Sequence, residues 1–377
     1  MPLTRQQICQ SAARKLSAAL PALGSVRAVI GLDGFVDEII AVVAKRFDKD
    51  RCEAMKTITV LGEKILAAAG QSSNYELLVK QTKLGGNGPI MANALAAAGL
   101  AVTYIGNLGY PTLHPVFAEL AERAKVISIA EPGHTDALEF EDGKLMLGKH
   151  QSLGDVNWEN ILQRVGKERF TELVGGARLI GMLNWTMLSH MSEIWSRLES
   201  EILPRCRPQE RTLFIDLADP EKRTAEDISE ALKILSRFQA SISVVLGLNL
   251  KESDQIAHAL DIAVPADSEP VIEQTAGAIR RKLGISCVVI HPRKSAAAAT
   301  AEQSASFAGP FVQQPKISTG AGDHFNAGFC LGRILELSLE ESLCAGVGAS
   351  GYYVRMAQSP SGKQLAQFIA ELPPPQG

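Results

Sequence analysis

Six short apolar runs, at residues 26–32, 102–105, 179–183, 212–215, 243–246 and 287–290, alternate with stretches whose apolar residues recur at helical spacing. The helical patterns cover 90–98, 114–124, 191–203, 225–238, 251–260 and 271–282. Apolar runs this short and this continuous are strands buried on both faces, and strands separated by helices pair in parallel through crossovers. The alternation predicts a three-layer α/β/α architecture with a mainly parallel central sheet. Ligands of such sheets bind beyond the carboxyl ends of the strands. The residues that follow each apolar run are therefore the ones to inspect.

Two stretches break the alternation. Residues 38–62 mix Val, Ile and Thr with charges, and 131–150 read as a hairpin turning at Glu141-Asp142-Gly143-Lys144. Both are expected to build a small β lid on a single domain spanning 1–377. The net charge of −3 gives no basis for nucleic-acid binding or attraction to an anionic membrane. No apolar run has transmembrane length, and Arg5, Arg14 and Lys15 mark the N-terminus as an amphipathic helix rather than a signal peptide. The six cysteines contain no C-x-x-C pair, so the simplest expectation is a reducing cytoplasm.

The run Ser318-Thr319-Gly320-Ala321-Gly322-Asp323-His324-Phe325 joins small residues, an acid and the start of a helical stretch. Unpaired N–H groups at a helix start, with the positive end of the dipole, bind phosphate. A carboxylate in that turn can take a proton from an attacking hydroxyl. Read by itself, the run fits a tight turn with a helix cap equally well.

Other strand ends carry polar groups. Gly31-Leu32-Asp33-Gly34-Phe35-Val36-Asp37 places two carboxylates where they can accept hydroxyl hydrogens or cap backbone groups. Gly85-Gly86-Asn87-Gly88-Pro89 lets the chain lie against a ligand, or simply enters a helix. Asn249-Leu250-Lys251-Glu252 supplies oxygen groups for water-held Mg²⁺, or an N-cap with its helical glutamate. Asp216, Asp219-Pro220 and Arg223 form a looser cluster, in which Asp219-Pro220 reads as a turn. His291-Pro292-Arg293-Lys294 brings cations that can pair with phosphates or stay solvated. Gly346, Gly348 and Gly351 make a small-residue helix suited to close packing. No G-x-G-x-x-G follows the first strand and no Walker P-loop occurs, which argues against a dehydrogenase or a P-loop enzyme.

Taken in order, these motifs resemble the PfkB (ribokinase-like) family of carbohydrate kinases, over roughly residues 26–371. Thr319 to Phe329 matches the family's C-terminal signature without a gap, and Gly85 to Gly99 its N-terminal one. Asn249 and Glu252 match its Asn-x-x-Glu element. The resemblance implies a ribokinase-like fold that transfers phosphoryl from ATP·Mg²⁺ to a hydroxyl of a sugar or related polyol. It implies Asp323 as base, with Gly320, Ala321 and Gly322 as anion hole. Asp33, Asp37, Gly85, Gly86 and Asn87 are expected at the acceptor. Thr319, Arg293, Lys294 and Gly348 are expected at the nucleotide, and Asn249 and Glu252 at magnesium through water. Activation by a monovalent cation and a homodimer through the lid are common among such relatives. Two departures stand out. Ile90 replaces an asparagine that touches sugar in many members, with Asn87 or Asn93 as substitutes. The loop after residue 290 lacks the family's glycines. The rival readings are a nucleoside kinase, an ADP-dependent sugar kinase, or a sugar- or nucleotide-binding protein with weak catalysis.

Overall fold

A computed structural model describes residues 3–263 and 269–375. Its strands are β1 (Arg27–Leu32), β2 (Phe35–Arg46), β3 (Cys52–Ala54), β4 (Leu77–Gly85), β5 (Ala101–Gly106), β6 (Lys125–Ser128) and β7 (Gly133–Phe140). After these come β8 (Gly143–Lys149), β9 (Leu179–Leu183), β10 (Thr212–Asp216), β11 (Ser243–Leu248), β12 (Cys287–Ile290), β13 (Ser295–Ala299) and β14 (Ser304–Ala308).

Nine strands form the large sheet in the order β14-β13-β12-β11-β10-β9-β1-β5-β6. It is parallel from β12 to β6 and antiparallel only at the β12–β13–β14 edge. Successive side chains of each parallel strand enter opposite cores. Val29 packs with the helices Trp158–Arg164, Met191–Arg197 and Ala225–Phe238, whereas Ala28 and Ile30 pack with Arg5–Ala19, Asn87–Ala98 and Ala321–Ile334. Burial on both faces is why these strands read as continuous apolar runs.

From β1 the chain crosses to β5 on one side and later to β9 on the other, so the strand order reverses at β1. This is the crevice where open α/β sheets hold ligands. A second, small sheet rises from it. β2 starts two residues past β1 and pairs with β3, β4 and β7, and β7 pairs with β8. The small sheet thus includes Leu77–Gly85 beyond the two stretches read from sequence, and residues 58–62 begin the helix Ile58–Ala67 instead of extending a strand.

Two further differences concern the large sheet. The alanine run at 296–299, which reads as low complexity, is the buried strand β13. The single helix expected at 114–124 is a 3₁₀ turn, Pro115–Phe117, leading into Ala118–Arg123.

Candidate active site

The anion turn is built by Gly320, whose φ of 91° is open to glycine but strained for other residues, followed at once by the helix Ala321–Ile334. Ala321 N–H donates to the Ser318 carbonyl at 3.2 Å. Gly322, in the first turn, lines an adjoining cavity, and its N–H has no acceptor outside the helix among the described residues. Asp323 follows in the same turn, buried. Ile90 packs over the turn, its Cγ2 lying 3.3 Å from where a Cβ on Gly320 would stand. Of the two cavities at the crevice, one is lined by the turn itself and the other by Asn87, which bonds Asp323.

One cavity, of about 350 Å³, is mostly apolar and is lined by Asn249, Arg293, Lys294, Phe311, Gly322 and Val347. Arg293 and Lys294 approach the Phe311 ring, with cation-to-centroid distances of 5.9 and 5.3 Å. His291 forms part of the wall. It is held near pKa 4 by burial and is therefore neutral. Thr319 is exposed at the mouth, where its carbonyl accepts the Tyr353 hydroxyl at 3.0 Å. Gly348 does not reach the cavity. A Cβ there would meet Ile369 at 2.7 Å, so its smallness serves the packing of the C-terminal helix Gly362–Ala370, and Val347, Ser350 and Gly351 line the cavity instead.

The other cleft, of about 420 Å³, is lined by Asp37, Gly86, Asn87, Thr135, His150 and Glu252. Asp37 rides on β2. Burial raises its pKa, opposed by the Lys83 charge and a Thr135 hydrogen bond. Gly85 is not on the cleft wall. A Cβ there would lie 2.4 Å from the Asp37 carboxylate, so Gly85 makes room for that side chain.

Asp33 differs from the sequence expectation. It is fully buried, and its two oxygens accept the N–H groups of Asn87 (3.0 Å) and Gly88 (2.9 Å) and the Asn184 amide (2.8 Å). The helix Asn87–Ala98 has glycine at its N-cap and so no capping side chain of its own. Asp33 caps it from the end of β1, which lets the helix start three residues before the apolar periodicity does. Burial pushes the Asp33 pKa up to about 6 against those three donors.

Asn87 then points at Asp323. Its Nδ2 donates to Asp323 Oδ1 at 3.0 Å. Burial, followed by the negative charge of Asp33, lifts the Asp323 pKa well above the usual carboxylate range, while the Asn87 bond opposes the rise. Asn93 is drawn away, to Ser359 and Arg123, and so does not stand in for the family's sugar-contacting asparagine.

Asn249 and Glu252 form a reciprocal capping box. Asn249 accepts Glu252 N–H at 2.9 Å, and Glu252 accepts the N–H groups of Asn249 (2.8 Å) and Asp219 (2.9 Å). The capping box also borders both cavities, since Asn249 lines one and Glu252 the other. Asp216 completes the acidic wall. Its pKa is raised by burial and then by the charges of Glu252 and Asp323. No group of three acids, histidines or cysteines among the described residues is placed to ligate a metal directly. Mutually repelling carboxylates beside an anion turn suit a divalent ion that keeps its own waters. Arg223 has other work, stacking on Trp185 at 4.6 Å and pairing with Asp227 at 3.1 Å.

Sequence reasoning missed several residues here. Asn184 and Asn326 anchor Asp33 and Asp216, at 2.8 and 2.9 Å. His324 binds the Gly320 carbonyl through Nδ1 at 2.8 Å. Asn184, Ala218 and Asp219 line the 420 Å³ cleft with φ between 55° and 65°, a strain that non-glycine residues adopt mainly at functional sites.

A sequence profile of the prokaryotic ketohexokinase family matches residues 4–372. The ketohexokinase of Haloferax volcanii is 29% identical over 346 residues, covering 91% of each chain. Among solved structures, a carbohydrate kinase from Agrobacterium tumefaciens superposes with a TM-score of 0.64 at 16% identity, covering 93% of this chain and 98% of that one. Ribokinase from Arabidopsis thaliana gives 0.62 at 18% identity, covering 91% and 98%. Phosphofructokinase-2 from Escherichia coli gives 0.62 at 16% identity, covering 92% and 99%. These three share the fold. The chain belongs to the prokaryotic ketohexokinase family and is an ATP-dependent carbohydrate kinase.

Proposed function

We propose that the acceptor is a ketohexose, that it occupies the 420 Å³ cleft, and that ATP occupies the 350 Å³ cavity. The carrying observation is Asp323, a buried carboxylate tied to Asn87 on the acceptor side and standing in the first turn of an anion-binding helix on the nucleotide side. Asp323 accepts the proton of the acceptor hydroxyl as that oxygen bonds to the γ-phosphorus and the bond to ADP breaks. Its raised pKa makes it a stronger base than an exposed aspartate. The Gly322 N–H and the dipole of the helix stabilise charge on the transferring group. Asp37, Asn87 and Gly86 hold the acceptor, and Arg293 and Lys294 meet the nucleotide's phosphates.

Mg²⁺ supplies charge neutralisation between the phosphates. Asp216, Asn249 and Glu252 would hold its waters. The small sheet acts as a lid that excludes water when it closes. The sugar-kinase reading is favoured over a nucleoside kinase, an ADP-dependent enzyme or a weakly catalytic binder by the ketohexokinase match along nearly the whole chain.

Three finer points belong to the same reading. A homodimer through the lid is supported by exposed Leu77, Val79 and Leu147 on its strands, and light scattering tests it. A cytoplasmic setting is supported by six free cysteines, and no described helix is long and apolar enough to cross a membrane. Monovalent-cation activation is supported by the family resemblance alone and is tested by kcat with and without K⁺.

The central test is ADP release from Mg²⁺-ATP across ketohexoses, aldohexoses, pentoses, polyols and nucleosides, beside an Asp323→Asn control. Ketohexose-dependent release that the control lacks is expected. Preference for another sugar would overturn the acceptor assignment. Release that persists in the control would overturn the base.

A further inference from the structure

The edge of the sheet remote from Asp323 holds a cavity of about 360 Å³ whose wall is mainly polar. It is formed where β10, β11 and β12 begin, at Thr212, Ser243 and Cys287. Arg280 enters it from the last turn of the helix Glu269–Leu283, and Arg333 from the last turn of Ala321–Ile334. Gln239 lies between them. Its Oε1 already accepts Val244 N–H, Ser286 N–H and the Ser286 hydroxyl, so its NH₂ remains as a donor.

Charges in this cavity are not balanced. Arg280 has no hydrogen-bond or ion-pair partner among the described residues, and its Nε is buried without an acceptor. Arg333 donates to the Leu337 carbonyl at 3.3 Å and has no carboxylate partner among the described residues. Glu302 is the one carboxylate on the wall, against these two guanidinium groups. Arginines near helix C-termini interact favourably with the dipole. That accounts for each cation separately, but not for two of them converging on one donor-rich space. Guanidinium forks in a partly buried polar cavity match the geometry of a phosphate group.

We infer that this cavity is a binding site, separate from the active site, for a small phosphate-bearing metabolite, held by Arg280, Arg333 and Gln239. Its place in the fold is suggestive of communication. Arg333 and Asp323 sit on one helix, ten residues and about 15 Å apart.

Calorimetric titration of inorganic phosphate into the full chain, with the active site saturated by ADP and sugar, tests the site. Expected is one saturable site per chain, weakened at least ten-fold in Arg280→Gln and again in Arg333→Gln, and unchanged in Asp323→Asn. Arg280→Gln removes no hydrogen bond or ion pair among the described residues, so its fold should survive, and circular dichroism checks this. No saturable heat in the wild type, or wild-type affinity in either arginine variant, would overturn the site. Because neither arginine enters the proposed catalytic machinery, both variants should keep their basal kcat. That keeps failure here distinct from failure of the kinase reading. Displacement of phosphate by a hexose monophosphate rather than by AMP would assign a sugar ester as the ligand, and the reverse a nucleotide.

Discussion

The imidazole of His324 lies flat on the ring of Tyr353, with centroids 3.6 Å apart and planes 13° from parallel. Both rings hold the anion turn by its carbonyls, His324 at Gly320 and Tyr353 at Thr319. Burial keeps His324 near pKa 4 and therefore neutral. A carbonyl can only accept, so Nδ1 carries the proton and Nε2 accepts the Ser359 hydroxyl at 2.9 Å. The stacked pair positions the turn from behind and does not touch the acceptor cleft.

His324→Phe keeps the stack and removes both hydrogen bonds. One or two such bonds correspond to about a ten-fold effect, so kcat should fall about ten-fold while the KM for sugar changes little. Steady-state kinetics on a variant with wild-type circular dichroism checks this, and an unchanged kcat would remove His324 from the positioning role.

Asp323→Asn should lower kcat by about two to four orders of magnitude, the usual size of general-base effects. Nucleotide and sugar should still bind, as measured by calorimetry. Near-normal turnover would assign the proton acceptor elsewhere.

The acid limb of kcat/KM should report Asp323. Only the carboxylate form accepts a proton, so activity rises with pH through its folded pKa. Burial and the neighbouring Asp33 charge place that pKa above the ordinary carboxylate range. The Asn87 amide favours the charged form, so Asn87→Ala should move the limb to higher pH as well as lowering kcat. A limb that stays in place in this variant would contradict the pairing.

Gly320→Ala tests the turn itself. Left-handed backbone costs other residues about 1–2 kcal/mol, and the new methyl would stand 3.1 Å from the Tyr353 hydroxyl and 3.3 Å from Ile90. Denaturant unfolding should show a loss of that order together with a drop in kcat. Unaltered stability would mean that the turn relaxes without strain.

Replacing both Arg293 and Lys294 with alanine should raise the KM for ATP several-fold and change kcat less, because both line the cavity proposed for the nucleotide and neither has a hydrogen bond or ion pair to Asp323 among the described residues. A selective change in sugar KM would reverse the assignment of the two cavities.

The parts of this architecture that sequence makes legible are those fixed by local pattern. The runs at 179–183 and 287–290 are strands with those same bounds, because burial on both faces leaves an unbroken apolar stretch. The turn at 318–323 is legible because its glycines and acid act within six residues. Leu77–Gly85 is not. Most of its side chains are exposed, and its strand state comes from pairing with β2. Asp33 shows the same limit within the site. A carboxylate at a strand end can bind a ligand or cap a helix, and only folding brings the N–H groups of Asn87 and Gly88 to it from more than fifty positions away. Asn184 belongs to no motif, and Asn326 lies inside the 319–329 run without a motif role, since each matters only through the buried acid it meets.

The division of the site between two sheets has an evolutionary corollary. Asp37, Thr135 and His150, which line the 420 Å³ cleft, belong to the small sheet or the residue that follows it, whereas Asp323 and Gly322 belong to a helix packed on the large one. On the proposed assignment, changes confined to the small sheet would alter one wall of the acceptor cleft, while Asn184, Ala218, Asp219 and Glu252, outside that sheet, would keep the other. Asn87, on the helix that follows β4, ties the two together through its bond to Asp323.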